Sequence, residues 1–271
     1  MKAIISSTFD DKYLFFIPIC VWAWNKLDVD VICFLPYSDY MGSEAKNQVP
    51  AQLIRDTIQK NNLRCELHYF NAPENKKATY SQCSRLYAAC LDLSEDEYLI
   101  SSDVDMCLFK LPISDIIWDK FQILGSDLVP KGQYPVCYCG ATVKLWRDTF
   151  NLNGKTYQQC LDNLLAGDNC EDYRANRWSV DQEQLYLNVS KTDRFELPRS
   201  NGQNQFATKR YDRDDAYLLE RLSPDTIDFH MTRPGYEENN FDVIMQVLKY
   251  HYPNDDLQWM VDYCEQYKKL L

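Results

Sequence analysis

The sequence contains two carboxylates in a position suited to metal chemistry. In "EYLISSDVDMCLF" (97–109) a short apolar run ends in two serines, and Asp103 and Asp105 follow one residue apart. Carboxylates bind hard divalent cations such as Mg²⁺ or Mn²⁺, and such a cation can bridge to phosphate. Acidic residues at this spacing are common in a chain with 40 acidic residues, so the location of the pair matters more than the spacing.

The same three letters, Asp-Val-Asp, occur a second time and provide a comparison within the chain. Asp28 and Asp30 precede a predicted strand, whereas Asp103 and Asp105 follow one. In open parallel sheets, ligands bind in the crevice beyond the carboxyl ends of the strands. We therefore expect Asp103 and Asp105 to lie at a binding edge, and Asp28 and Asp30 to be solvated at the opposite edge. A solvated turn or a helix cap is the ordinary alternative for the later pair.

Strand and helix patterns alternate through the first hundred residues, with short links between them. The predicted strands are 2–7, 30–36, 65–70 and 97–101, and the predicted helices are 15–27, 50–62 (with Pro50 at its start) and 80–93. This order favours a Rossmann-like α/β fold, with a mostly parallel central sheet and helices on both faces. The later predicted strands are 121–129 and 136–145, and the later predicted helices are 156–165 and 180–189. We expect a single domain over 1–271, with a nucleotide-type half (1–110) and a mixed half (111–271).

The composition restricts the classes of partner. The formal net charge is −11, which argues against binding to nucleic acid or to an anionic membrane surface. A phosphate-bearing ligand would therefore need a local cation or a metal ion. Eleven cysteines without a CxxC pair indicate reduced thiols. The apolar run 13–24 is too short to span a bilayer, and no signal-peptide pattern follows Met1. We therefore expect a cytoplasmic protein without a membrane span.

Four later segments extend this pattern and resemble one family. They are "YSQCSRLYAACLDLSEDEYLISSDVDM" (80–106), "CGATVKLWRDTF" (139–150), "WSVDQEQLYLN" (178–188) and "IDFHMTRPGY" (227–236). In this order they are similar to segments of the GT-A glycosyltransferases, and most of all to glycosyltransferase family 8, the glycogenin and bacterial galactosyltransferase type. The resemblance implies a GT-A fold. It also implies metal-dependent transfer of a sugar from a nucleotide-diphosphate sugar, with UDP favoured, to a saccharide or glycoconjugate acceptor bound by the half 111–271.

The resemblance also implies roles for individual residues. The metal ligands for Mn²⁺ or Mg²⁺ would be Asp103, Asp105 and His230. The residues expected to contact the nucleotide-sugar donor are Ser6, Thr8, Arg85, Asp103 and Arg233. The residues expected to face the reacting sugar are Asp181, Gln182 and Glu183.

Several of these residues have ordinary structural alternatives. Asp181 is equally suited to cap a helix, and Arg85 could form a surface ion pair with Asp92 or Glu95. Ser6 and Thr8 could belong to a plain loop. The other two histidines, His68 in a predicted strand and His251 in a predicted helix, are expected to be structural.

The sequence departs from the family pattern at two places, which leaves open another GT-A family with the same plan. Glu183 stands where the family has Asp, and Arg233 follows His230 more closely than the family's Lys-Pro-Trp does.

Three other functions are alternatives to the transferase. A sugar nucleotidyltransferase needs a Gly-rich loop after the first strand, and "SSTFDDKY" (6–13) has none. A haloacid-dehalogenase phosphatase has Asp-x-Asp at its first strand, followed two residues later by Thr, where this chain has Cys107. A non-catalytic sugar-nucleotide-binding protein remains the alternative outside the enzymes.

Overall fold

Two β-sheets, one of seven strands and one of three, form the framework of the fold. The structure is a computed structural model and describes residues 1–37, 45–111, 113, 116–124, 132–165, 179–197, 210–214 and 217–271. The strands are β1 (Lys2–Ser6), β2 (Asp30–Tyr37), β3 (Cys65–Asn71), β4 (Tyr98–Ser101), β5 (Met106–Leu108), β6 (Phe121–Ile123), β7 (Cys139–Thr142), β8 (Phe195–Glu196), β9 (Arg210–Tyr211) and β10 (Asp228–His230). The α-helices are α1 (Asp11–Leu14), α2 (Ile17–Lys26), α3 (Ala45–Lys60), α4 (Lys77–Ser84), α5 (Val143–Phe150), α6 (Tyr157–Leu165), α7 (Val180–Val189), α8 (Glu238–His251) and α9 (Gln258–Lys268).

The larger sheet confirms the predicted mostly parallel arrangement. Its strand order is β3-β2-β1-β4-β7-β6-β8. The first four strands in this order are mutually parallel, β7 is antiparallel to both of its neighbours, and β8 is parallel to β6. The carboxyl ends of β1, β2 and β4 therefore meet at one edge, which is where an open sheet of this kind binds ligands.

Both faces of this sheet are covered at its centre, which explains why β1 and β4 are apolar along most of their length. Successive strand residues point to opposite faces. Ala3 and Ile5 of β1 enter the hydrophobic cluster that contains residues of α2, α8 and α9, whereas Ile4 enters the cluster formed with α4 to α7. Parallel strands buried on both faces are typically continuous hydrophobic runs.

The smaller sheet joins three segments that are far apart in sequence. Strand β10 pairs antiparallel with β5, with His230 opposite Met106, and parallel with β9, with Asp228 opposite Arg210. Asp228 is fully buried. Arg210 binds its carboxylate in two places, with Nε 3.0 Å from Oδ1 and Nη2 2.7 Å from Oδ2. This bidentate ion pair fixes the two short strands side by side.

Two predicted helix boundaries were wrong. Pro50 lies inside α3 and does not start it, so the helix extends before Pro50 although the proline removes one main-chain hydrogen bond. The helix predicted over 80–93 starts earlier, as α4, and continues from Arg85 to Cys90 as a 3-10 helix.

One predicted strand is shorter than the pattern indicated, and another is described only in part. The strand over 136–145 is limited to β7, because Thr142 caps α5 by accepting the N–H of Leu145 at 3.4 Å. The strand over 121–129 includes β6, and its part from 125 onwards lies outside the described residues.

Within the described ranges, none of the helices combines the length and the apolarity needed to cross a lipid bilayer. All ten cysteines in these ranges are free thiols.

His251 gives a prediction about the acid sensitivity of the fold. Its ring stacks on Phe109, with ring centroids 3.8 Å apart. Burial, assisted by the charge of Lys110, lowers the pKa of His251 from 6.5 to about 4. Between these pH values the His251 ring is protonated in the unfolded chain and neutral in the folded chain. The free energy of unfolding therefore falls as the pH drops from 6.5 towards 4. We expect His251→Phe to reduce this loss, measured by urea unfolding at pH 7.5 and 4.5. Equal losses in wild type and variant would contradict the assignment.

Candidate functional site

A cleft of about 480 Å³ opens at the carboxyl edge of the larger sheet. Its volume lies within the range of about 300–1,000 Å³ that is usual for ligand sites. All but one of the residues selected from the sequence line it, namely Ser6, Thr8, Arg85, Asp103, Asp105, Asp181, Gln182, His230 and Arg233. The exception, Glu183, accepts a hydrogen bond of 2.9 Å from Ser179 Oγ and is not part of the lining.

Strand pairing brings His230 to the acidic pair across more than a hundred residues of sequence. Asp105 immediately precedes β5, and His230 is the last residue of β10. The N–H of Met231 donates to the carbonyl oxygen of Asp105 at 2.9 Å, which extends the β5–β10 pairing by one step. In this arrangement His230 Nε2 lies 3.3 Å from Asp105 Oδ2.

The carboxylate of Asp105 contacts His230 and two arginines in the cleft. Its residue is 4% exposed, and Oδ2 also lies 3.0 Å from Arg213 Nη1 and 3.4 Å from Arg233 Nε. Burial has the largest effect and raises the pKa of Asp105. The hydrogen bond with His230 and the charges of the two arginines together outweigh burial and hold the pKa below its ordinary value. Asp105 is therefore ionised at neutral pH.

Asp105 and His230 fit a divalent cation as two neighbouring ligands. Two ligands about 2.1 Å from an octahedral ion lie about 3 Å apart when they occupy adjacent positions, and the observed separation is 3.3 Å. Within the part of the chain that the structure describes, no group of three or more His, Cys, Asp or Glu side chains is arranged around one point. The pair therefore suits an ion that completes its shell with phosphate oxygens and water, as Mg²⁺ commonly does.

Arg85 is buried between two carboxylates and does not form the surface ion pair considered from the sequence. Its guanidinium donates to Asp103 Oδ1, and Nη2 donates to Asp181 Oδ2 at 3.1 Å. Burial lowers the pKa of Arg85, but the two carboxylates raise it by more, so that the group stays charged. Because two further donor contacts reach the carbonyls of Ser102 and Gln82, Arg85 acts on the cleft mainly by orienting Asp103 and Asp181.

Asp181 faces the cleft and does not cap its helix. The cap position of α7 is Ser179, and Asp181 is the second helical residue. Burial raises the pKa of Asp181, and the charge of Arg85 opposes this rise without cancelling it. The carboxylate is oriented by Arg85 at Oδ2 and by the main-chain N–H of Gln182, which donates to Oδ1 at 2.9 Å. Its remaining acceptor capacity suits a hydrogen bond from a sugar hydroxyl.

Tyr13 and Arg213 are among the lining residues that the sequence did not single out. Tyr13 OH accepts a hydrogen bond from Arg233, whose guanidinium carbon lies 4.8 Å from the centre of the Tyr13 ring. The two contacts hold Arg233 over the cleft. Arg213 lies two residues after β9. Because β9 has only two residues, it has no periodicity that could have marked this segment.

The earlier Asp-Val-Asp copy behaves as expected. Asp28 and Asp30 have side chains that are 92% and 50% exposed, and both form ion pairs with Arg64, at 2.9 and 2.7 Å. The same three letters thus bind an arginine at the solvent surface in one copy and line a cleft in the other.

The two arginines provide a matched prediction. Arg85→Met leaves Asp103 and Asp181 without their common partner, and we expect it to lower the unfolding free energy by about 3 kcal/mol, because Asp181 stays buried. Arg64→Met removes two exposed ion pairs and should cost less than about 1 kcal/mol. Urea unfolding at neutral pH measures both. Adding Asp181→Asn to Arg85→Met should restore part of the loss. Similar losses for the two single variants would show that burial of the cluster does not matter.

The fold is similar to those of two solved glycosyltransferases. The glycosyltransferase GlyE of Streptococcus pneumoniae TIGR4 aligns with a TM-score of 0.52 at 11% identity, over 99% of this chain and 64% of the GlyE chain. This chain therefore spans less than two thirds of the length of GlyE. The galactosyltransferase LgtC, crystallised with donor and acceptor sugar analogues, aligns with a TM-score of 0.54 at 10% identity, over 96% of this chain and 99% of LgtC.

These likenesses confirm the predicted fold class, a mixed α/β GT-A-like fold. No protein-family model matches the sequence, and no curated protein matches it. The resemblance to glycosyltransferase family 8 therefore stays a prediction.

Proposed function

We propose that this protein is a metal-dependent glycosyltransferase that transfers a sugar from a nucleotide-diphosphate sugar, with UDP as the expected nucleotide, to a saccharide or glycoconjugate acceptor. The observation that carries the proposal is the convergence of Asp105, His230, Arg213 and Arg233 at the carboxyl edge of a GT-A-like sheet. Four cationic side chains, Lys12, Arg85, Arg213 and Arg233, line the cleft and offset the four aspartates in the same lining, in a chain of net charge −11. An anionic ligand needs cationic groups of this kind close to it.

The roles of the chain's residues follow from their contacts. Asp105 and His230 would hold Mn²⁺ or Mg²⁺. Such an ion neutralises negative charge on the leaving nucleoside diphosphate when bound. Arg233, held by Tyr13, adds a second positive group near the diphosphate. The half 1–110 would bind the nucleotide sugar together with His230 and Arg233, and the acceptor would bind the half 111–271.

The remaining lining residues divide between the nucleoside and the sugar. Ser6 and Thr8, at the end of β1, offer hydroxyl and main-chain groups to the base or ribose. Asp103 has a side chain 43% exposed, so it retains acceptor capacity for ribose or sugar hydroxyls. Asp181 and Gln182 face the transferred sugar. Because Glu183 is bound to Ser179 outside the lining, the proposal assigns no contact with the reacting sugar to it.

Metal-coupled binding of UDP tests the donor site. Isothermal titration calorimetry of wild type should give a UDP affinity that rises with added Mn²⁺. Asp105→Ala and His230→Ala should each remove about tenfold or more of that gain, because each removes one ligand of the ion. Asp28→Ala and His68→Ala, which alter the matched residues away from the cleft, should keep it. UDP binding that is equal in all variants and independent of Mn²⁺ would count against the proposal.

Donor hydrolysis separates an enzyme from a sugar-nucleotide-binding protein. Wild type, incubated with Mn²⁺ and a panel of UDP-sugars, should release UDP slowly from at least one of them, because water can replace the acceptor. Asp181→Asn should lower this rate by about tenfold or more, since it weakens a charged contact with the sugar, while the affinity for UDP stays within about threefold. Asp193→Asn, an exposed acidic residue, is the control.

The absence of hydrolysis with every donor, together with tight UDP binding, would favour the binding protein. Equal rates in wild type and Asp181→Asn would remove Asp181 from the reacting site.

A further inference from the structure

Three donor groups converge on one oxygen atom in the cleft. Arg213 Nη1, His230 Nε2 and Arg233 Nε lie 3.0, 3.3 and 3.4 Å from Asp105 Oδ2. A carboxylate oxygen has about two lone-pair sites, so one oxygen cannot satisfy three donors fully. A guanidinium has five N–H donors in a planar fork, and a contact to one oxygen uses a small part of this capacity.

Both arginines are placed to reach a ligand without leaving the cleft. Arg213 and Arg233 have side chains 21% and 23% exposed, whereas Asp105 between them has a side chain 6% exposed. The arginines thus lie on the open side of the carboxylate. Two guanidinium groups held this close repel each other, and Asp105 offers one negative charge against two positive ones. The local excess of positive charge favours an additional anion.

The other two cations of the cleft are less suited to that anion. Arg85 already binds Asp103, Asp181 and two carbonyl groups. Lys12 lies on α1 with a side chain 58% exposed, 4.0 Å from Asp10. Arginine is the residue that recognises phosphate through paired N–H groups. Two adjacent guanidinium groups match two linked phosphates better than they match a single one.

The segment that contains β9 and Arg213 is held by contacts with the buried Asp228 and with the pair formed by Asp105 and His230. Arg210, on β9, is fixed by the buried Asp228. Further along the same segment, Asp212 Oδ1 lies 3.9 Å from His230 Nδ1, and Arg213 reaches Asp105. The position of Arg213 is therefore set by the same strand pairing that sets His230.

We propose that Arg213 binds the diphosphate of the donor beside Arg233, and that Asp105 orients both guanidinium groups before the donor binds. This inference rests on the proposed function and adds to it a phosphate-binding residue from the segment after β9. With a metal ion at Asp105 and His230, Arg213 and Arg233 would leave the Asp105 carboxylate and donate to the phosphate oxygens. No covalent bond changes in this exchange.

Calorimetry with UDP and with uridine, each with and without Mn²⁺, tests the inference. Arg213→Ala should weaken UDP binding by about tenfold or more, the usual effect of losing a hydrogen bond to a charged group. The affinity for uridine should not change, because uridine has no phosphate. Arg213→Lys should retain part of the UDP affinity, since it keeps the charge and loses the fork. Arg64→Ala is the control for loss of an arginine, and thermal unfolding verifies that each variant folds.

The same substitution in a chain that carries Asp105→Asn distinguishes whether Arg213 binds phosphate or only neutralises Asp105. If Arg213 only neutralised Asp105, its removal from an Asp105→Asn chain would not affect metal-free UDP binding. We expect Arg213→Ala to weaken metal-free UDP binding in that background as well.

The outcomes separate the two proposals. If wild type binds UDP and Arg213→Ala binds it within about twofold of wild type, the role of Arg213 is wrong and the proposed function stands. A loss of UDP affinity that occurs only when Asp105 is intact would also show that the role proposed for Arg213 is wrong. If wild type does not bind UDP, the proposed function itself fails.

Discussion

The cleft depends on the pairing of β5 with β10. These strands have three residues each, yet their pairing brings Asp105 to a histidine 125 residues later in the chain. An antiparallel register determines which side chains lie opposite each other, and a shift by one residue would turn His230 to the other face. The proximity of Asp105 and His230 is therefore a consequence of main-chain hydrogen bonding, and side-chain attraction alone does not create it.

Charge in the cleft is arranged in two separate clusters. In the first, Arg85 is enclosed by Asp103 and Asp181, so its charge is compensated within the protein. In the second, the carboxylate of Asp105 lies against two guanidinium groups and compensates their charge only in part, and Asp212 lies 3.9 Å from the other ring nitrogen of His230. An acidic protein can in this way present a local site for an anion. The cluster around Arg85 provides oriented hydrogen-bond acceptors, and the cluster around Asp105 attracts an anion.

The sequence predicted the larger sheet and the acidic edge because both have local signals. Apolar runs marked the parallel strands, and the position of Asp103 and Asp105 after such a run distinguished them from Asp28 and Asp30. Arg213 had no such signal, because it follows a two-residue strand whose pairing is purely tertiary. Tyr13 was one of 19 tyrosines, and nothing local separated it from those in the core. Pairing of Arg85 with Asp181 likewise arises from tertiary contact across 96 positions.

The ion pair between Arg210 and Asp228 has a consequence for how related chains can diverge. Asp228 is fully buried, and its bidentate contact joins two strands that have very few main-chain hydrogen bonds to hold them. Changing one partner alone would leave a charge without compensation in the interior. In homologous chains these two positions should therefore covary, either as an acid with a base or as two apolar side chains. Such joint replacement would identify the relatives in which β10, the strand that ends at His230, keeps its pairing with β9.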